Sequence, residues 1–184
     1  MKINFKSGQT IIEAVVALGL IIVVLTATSV VVTTSVNNSD FIKRQSLASK
    51  YANQGMESLR FLRNNPPPAP TPSFDTYAAQ TSAYCMCPTT SSNNIILGDN
   101  NCNPGNAGSS CTKVDNFSGV LLRREVKFDA NASDCSGIVL TPGGTKVTVT
   151  VYWSSGKCPA GNAYCHKTQL ISCLAKPSSS GSTL

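Results

Sequence analysis

From Ile11 to Val36 the chain carries one charged side chain, Glu13, and is otherwise almost wholly apolar or hydroxylated. No proline interrupts residues 9 to 65, where Gly19 and Gly55 are the only glycines. A prolyl ring inside a helix removes a hydrogen bond and clashes with the preceding turn, so a stretch this long without one is free to be helical throughout. Its first half is too uniformly apolar for a helix lying on a water-facing surface.

Two conventional readings of that half fall short. A removable signal peptide has an apolar middle of about 7–15 uncharged residues and ends at a small-residue cleavage site. Glu13 interrupts the start of the run, and the residues near Ala27 make a poor site. A plain transmembrane anchor fits better. Ala14 to Val32 is uncharged and, at ~1.5 Å per residue, covers about 28 Å, enough to cross the hydrocarbon core. Lys2 and Lys6 precede it and no basic residue follows directly, which orients the N-terminus to the cytoplasm. The anchor leaves Glu13 unexplained. A carboxylate within a membrane helix costs about 2.5–3.5 kcal/mol on insertion scales, and such residues are functional candidates by default.

Beyond Asn37-Asn38-Ser39-Asp40, which either continue the helix or bend it, the pattern turns amphipathic. Ala48, Tyr51, Ala52, Met56, Leu59 and Leu62 recur at spacings of three and four, one face of a helix. Lys43, Arg44, Lys50, Asn53, Glu57, Arg60 and Arg63 take much of the remainder. The stripe lacks the sustained heptad of a coiled coil and predicts a helix laid on a globular domain. Unbroken from Gln9 to Asn64, this helix measures about 84 Å. Pro66-Pro67-Pro68 ends it, because the residue before a proline is pushed out of the helical region.

The rest of the chain has a different character. Charged residues make up 13% of the sequence, against roughly 25% in a typical soluble domain, and Ser, Thr, Asn, Gly and Pro fill the gap. All eight cysteines lie from Cys85 to Cys173. An even count confined to the polar part reads as a disulfide framework in an oxidising compartment. Cys158–Cys165 and Cys102–Cys111 are the first choices, because each pair brackets a loop. Cys85 and Cys87 share one face if extended and so reach separate partners, with Cys135 and Cys173 as candidates.

Residues 66–118 read as loop, with a Pro-rich hinge at 66–72, Cys85-Met86-Cys87, and an Asn/Gly/Ser-rich stretch at 91–110. Stapling there substitutes for an apolar core. Three strands are predicted after it. Val120, Leu122, Arg124, Val126 and Phe128 alternate with Leu121, Arg123, Glu125 and Lys127. Val147, Val149, Val151 and Trp153 alternate with Lys146, Thr148, Thr150 and Tyr152, and Thr168 to Leu174 returns. The connections are too short for helical crossovers, so the pairing is antiparallel. Residues 177–184 read as a frayed tail.

The formal net charge of +6 is spread thinly over Lys43–Arg44, Lys50, Arg60, Arg63 and Arg123–Arg124. A nucleic-acid groove wants a denser stripe with interleaved aromatics. Cys85-Met86-Cys87 with His166, the single histidine, makes a poor zinc set, because paired zinc cysteines usually have about two to four residues between them and here there is only Met86. Nothing marks a Ser, His and acid constellation. Arg123-Arg124 reads as a solvated strand edge. Asp75, Asp99, Asp115, Asp129 and Asp134 read as solvated or capping groups in polar turns. The expectation is a chain without catalysis, metal, cofactor or small-molecule substrate.

The stretch Lys6-Ser7-Gly8-Gln9-Thr10-Ile11-Ile12-Glu13-Ala14-Val15-Val16-Ala17-Leu18 resembles the cleavage and methylation signature of type IV prepilins and type II secretion pseudopilins. In that family a basic leader ends in glycine, a membrane aspartic peptidase cuts after it, and the new N-terminus is methylated. The resemblance implies cleavage after Gly8, N-methylation of Gln9, and Glu13 as the fifth mature residue. Gln9 stands where the family usually has phenylalanine. With the Val-Ala-Leu continuation, it points to minor pilins and minor pseudopilins over the bulk subunit. The family role implied for Glu13 is pairing with the N-terminal amine of a neighbouring subunit, which fixes the register of helices otherwise free to slide. The blander alternative leaves Glu13 snorkelling near the membrane interface.

Leu47 to Arg60 resembles the family's second half-helix, and Lys146 to Trp153 with its returning strand resembles the sheet of minor pilins. The resemblance implies an α+β type IV pilin fold, a long N-terminal helix packed on a C-terminal antiparallel β-sheet. Its parts are a leader (1–8), a transmembrane or filament-core helix (9–36) and an amphipathic half-helix (37–65). Stapled loops (66–118), the sheet (119–176) and the tail (177–184) follow. The implied function is a structural subunit in the bacterial inner membrane, with its C-terminal domain outside the cytoplasm, that enters a pilus or pseudopilus. Its implied partners are other pilin or pseudopilin subunits, prepilin peptidase and inner-membrane lipid. The alternative function is a membrane-tethered extracytoplasmic binding or adhesion domain that never enters a filament.

Overall fold

The computed structural model describes residues 7–68, 71–88, 95–99, 103, 105–108, 111–132, 135, 144–156, 158–162 and 164–175. Helix α1 (Ser7–Asn64) opens the chain, and Asn37-Asn38-Ser39-Asp40 stay helical within it. The chain divides into two compact units, Met1–Lys43 and Arg44–Leu184.

In the first unit every side chain from Ile11 to Asp40 is exposed. Thr26, Thr28, Ser29, Thr33 and Thr34 donate their hydroxyls to carbonyls four residues back, at 2.8 to 3.0 Å. These bonds satisfy the hydroxyl donors inside the helix itself, the condition for polar groups to enter an apolar medium.

In the second unit α1 buries Ala48, Tyr51, Ala52, Met56 and Leu59, the stripe that the periodicity predicts, with Leu62 half-buried. The Asn65 N–H donates to the Phe61 carbonyl at 2.8 Å, and the helix stops just before the three prolines. A short helix and six strands follow: α2 (Phe74–Ala78), β1 (Ala83–Pro88), β2 (Ile95–Gly98), β3 (Asp115–Phe117), β4 (Val120–Asp129), β5 (Thr145–Trp153) and β6 (His166–Leu174). Their order is β2-β1-β4-β5-β6, with β3 also on β4, and every pairing is antiparallel. Val126 sits opposite Val149, and Val149 opposite Leu170, so the apolar positions of neighbouring strands share a face. Ser118 and Gly119 join β3 to β4 at φ 52° and 81°, the mirror-image two-residue turn that matches strand twist and favours glycine.

Residues 66–118 depart from the expected loop, since they contain α2 and three of the six strands. Phe74, Tyr77, Tyr84, Met86 and Leu97 are buried, and the rings of Tyr77 and Tyr84 pack on Phe128. The segment therefore shares the core and does not rely on disulfides alone. Its strand β1 shows no polar alternation because Cys85 and Cys87 are buried along with Tyr84 and Met86.

Disulfides join Cys85 to Cys111, Cys135 to Cys173 and Cys158 to Cys165, and Cys87 is also disulfide-bonded. Only Cys158–Cys165 matches the expected pairing. Cys111 is not joined to Cys102, which lies outside the described residues, as do most of the leader and the tail. Cys135 and Cys173 join each other instead of reaching β1. The register explains this: Cys173 sits opposite Lys146 on β5, and Cys135 lies in the connection leading into β5.

Candidate functional site

The N-terminal site is a surface. Gly8 and Gln9 lie at the start of α1, and Glu13 is exposed one turn further on. Fifteen large apolar side chains from Ile11 to Val36 are each more than half exposed. Burying one is worth about 1.5–3 kcal/mol, so leaving the set in water costs on the order of tens of kcal/mol. That exceeds the roughly 5–15 kcal/mol net stability of a whole domain. This half of the helix is long and apolar enough to cross a membrane.

The second half of the helix is fixed by a polar cluster beneath it. Arg124 is 1% exposed and reaches up from β4. Its Nη1 donates to the Tyr51 carbonyl at 3.0 Å, and its guanidinium lies 3.8 Å from the Tyr51 ring centre. The Tyr51 hydroxyl donates to Asp115 on β3, and its ring packs on Phe117 at 4.9 Å. The close approach depends on Gly55, because a Cβ there would meet Arg124 Cδ at 3.0 Å and Val149 Cγ1 at 3.3 Å.

Burial drives the titration of this cluster. It pushes the Tyr51 phenol well above its ordinary value; Arg124 opposes the rise and Asp115 adds to it. Burial also lowers Arg124, against the stabilising Tyr51 and Asp115. A guanidinium this deep is tolerable only with such partners. Arg124 is thus no solvated strand edge: β4 lies between β1 and β5 in the sheet, and residue 124 faces the helix. Asp115 is half-buried on β3 and accepts from the Tyr51 hydroxyl, so it is likewise not a solvated turn residue.

The remaining sequence candidates scatter. Asp75 is in the first turn of α2, Asp99 accepts from the Asn103 amide at 3.0 Å, and Asp129 accepts from the Asn131 amide at 3.1 Å. Asp134 lies outside the described residues. On the far face of the sheet Arg123 lies over Tyr152 and Tyr164, at 4.6 and 5.4 Å from the ring centres. Burial raises the Glu125 carboxyl there, and Arg123 holds it back. Cys85-Met86-Cys87 and His166 are not brought together, since β4 and β5 separate β1 from β6. His166 instead packs on Trp153 at 5.6 Å, with Ser155 Oγ 2.8 Å from its Nε2.

The Tyr51–Arg124–Asp115 cluster was not anticipated from sequence. Two signals pointed to it: an arginine on the apolar side of an alternating strand, and a glycine within the amphipathic stripe. No family model, curated protein or solved structure matches this chain. The chain has an α+β architecture: an exposed apolar N-terminal helix whose second half packs on a six-stranded antiparallel sheet, compatible with a pilin-like fold.

Proposed function

We propose that the chain is a minor pilin or pseudopilin of a type IV filament system, anchored in the bacterial inner membrane and then incorporated into a pilus or pseudopilus through α1. The observation that carries this reading is Glu13, the one carboxylate on an otherwise apolar and wholly exposed half-helix. Its place five residues after Gly8 gives it a partner. Cleavage after Gly8 frees the Gln9 α-amine, which is cationic at neutral pH because its ordinary pKa is about 7.7–8.0. A carboxylate and an amine that are each costly alone in an apolar medium become tolerable when paired between adjacent subunits. The pair sets axial register, and burial of the apolar helices supplies the adhesion. The disulfide-stapled sheet is carried outward as the head.

Mass spectrometry of the mature N-terminus tests the processing step, with methylated Gln9 expected. Any other first residue overturns that step and favours a tethered domain that stays out of filaments. The pairing is tested by Glu13→Ala, which should still fractionate with the membrane. Its incorporation into filaments should fall by more than about tenfold, equivalent to ~1.4 kcal/mol. Normal incorporation of that variant excludes the pairing role.

A further inference from the structure

The loop between β5 and β6 holds a cluster that filament assembly does not use. Cys158 Sγ, Cys165 Sγ and a ring nitrogen of His166 lie within 4.8 Å of one another. While the two cysteines form a disulfide, neither offers the thiolate that a metal requires. Among the described disulfides this is the one in which both residues are half-exposed: Cys158 and Cys165 are, whereas Cys85 and Cys111 are buried and Cys173 is half-exposed but bonded to the buried Cys135. Reduction proceeds by attack of a thiolate on a sulfur, so access governs which bond opens first.

The loop is also held by contacts that do not pass through the sulfur–sulfur bond. His166 sits opposite Trp153 in the β5–β6 register and packs on its ring at 5.6 Å. Ser155 Oγ lies 2.8 Å from His166 Nε2. The Cys158 N–H donates to the Ser155 carbonyl at 3.1 Å, and Tyr164 stacks near Arg123 on the sheet. Opening the bond therefore leaves two thiols and an imidazole gathered at one place.

We propose that this loop is a redox-gated site for a borderline or soft metal ion such as Zn²⁺, held by Cys158, Cys165 and His166 once their disulfide is reduced. The step balances. A dithiol reductant supplies two electrons and two protons and leaves as its own disulfide, while Cys158 and Cys165 become thiols. Metal binding then displaces those two protons, and an imidazole nitrogen of His166 gives the third ligand. Tetrahedral zinc, with sulfur at about 2.3 Å and nitrogen at about 2.0–2.1 Å, sets its ligand atoms roughly 3.5–3.8 Å apart. The two sulfurs reach that spacing by parting after reduction, and the imidazole, already within 4.8 Å, by a small shift. Three protein ligands leave a fourth position open to water or to a ligand from a partner. Coordination through Nδ1 leaves Nε2 on Ser155 Oγ, the outer hydrogen bond that fixes a metal-binding histidine ring.

The test uses the full chain in detergent micelles, titrated with Co²⁺ as the spectroscopic stand-in for Zn²⁺. The oxidised chain should bind none at this site. After reduction one Co²⁺ per chain should appear with a thiolate-to-metal charge-transfer band, and Zn²⁺ should displace it. Ser155→Ala should weaken binding by about tenfold, and His166→Ala by more, with both variants keeping their thiols. Four results overturn the proposal. They are no band in the reduced wild type, an undiminished band in the Cys158→Ser/Cys165→Ser variant, unchanged affinity in His166→Ala, and loss of the sheet signal in circular dichroism on reduction.

Discussion

The two halves of α1 send their apolar side chains to different places. From Ile11 to Val36 the large ones stay exposed, and the only charge among them is Glu13. From Ala48 to Leu59 a stripe of five is buried, with Gly55 admitting Arg124 and Val149 close to the helix backbone. One half is apolar all round and finds no partner in its own chain among the described residues. The other is apolar on one side and is completed by the sheet. A helix that is hydrophobic on every face is built for an apolar surrounding, and one with a stripe is built for a single interface. Variants in the second half should therefore act on stability, and variants in the first half on association.

The largest stability effect is expected from Arg124→Ala. It removes a fully buried side chain and leaves Asp115 without its buried counter-charge, so a loss of about 3 kcal/mol is expected. For a chain of this size that lowers the thermal midpoint by roughly 6–12 °C, readable by circular dichroism in detergent. Arg124→Met, which keeps the volume without the charge, should recover much of the loss. A midpoint unchanged in Arg124→Ala would mean that the cluster does not secure the second half-helix.

Next in size is Gly55→Val. Glycine within a helix costs about 1 kcal/mol relative to alanine, so a side chain at an open position would be neutral or favourable. Here the new Cβ meets Arg124 Cδ at 3.0 Å and Val149 Cγ1 at 3.3 Å, and overpacking of a filled site costs about 1–3 kcal/mol. A net loss of about 2 kcal/mol in denaturant unfolding is expected. Gly19→Val is the matched control. A Cβ at Gly19 has nothing within 4 Å, so that variant should leave head stability unmoved.

Much of this contrast is legible in the sequence, and the illegible part has physical causes. The helix halves are readable because one is defined by composition and the other by spacing. Strands β4 and β5 are readable because one face is apolar and the other polar. Strand β1 is not, because Tyr84, Cys85, Met86 and Cys87 are all buried and alternation vanishes when both faces are covered. Disulfide connectivity is set by which strands neighbour each other, a property of topology. Spacing finds Cys158–Cys165, where the chain closes on itself across one loop. It misses Cys135–Cys173, which depends on β6 lying beside β5. The depth of Arg124 was visible as a position on the apolar side of β4, but the charge suggested solvent. Only Tyr51 and Asp115 explain why an arginine is tolerated there.

Tyr51→Phe should have a smaller effect at neutral pH, about 1 kcal/mol for the lost hydroxyl–Asp115 hydrogen bond. Its signature lies in alkali. The folded Tyr51 phenol titrates above its ordinary value of 10.0, so the unfolded chain releases this proton first. The contribution is complete below about pH 10 and is lost as the pH rises from there toward the folded value. Wild-type unfolding should therefore steepen above about pH 10. Tyr51→Phe should flatten part of that slope, with Tyr77, Tyr84 and Tyr152 supplying the rest, since burial raises each of them. Identical slopes would show that Tyr51 is not held in its protonated form by the fold.

The smallest expected effect falls on the residue with the largest proposed role. Glu13 is exposed on the first unit, and the cluster that secures the second half-helix begins at Tyr51, between ten and eleven turns further along α1 at ~3.6 residues per turn. Sites this far apart with no shared partner act independently. Glu13→Ala should therefore leave thermal unfolding of the head within about 0.5 kcal/mol of wild type, as distant exposed substitutions do. Its association defect, if pairing holds, must then come from outside the chain. A shift in head unfolding beyond that margin would break the division between the halves, because it would tie the membrane half to the stability of the sheet.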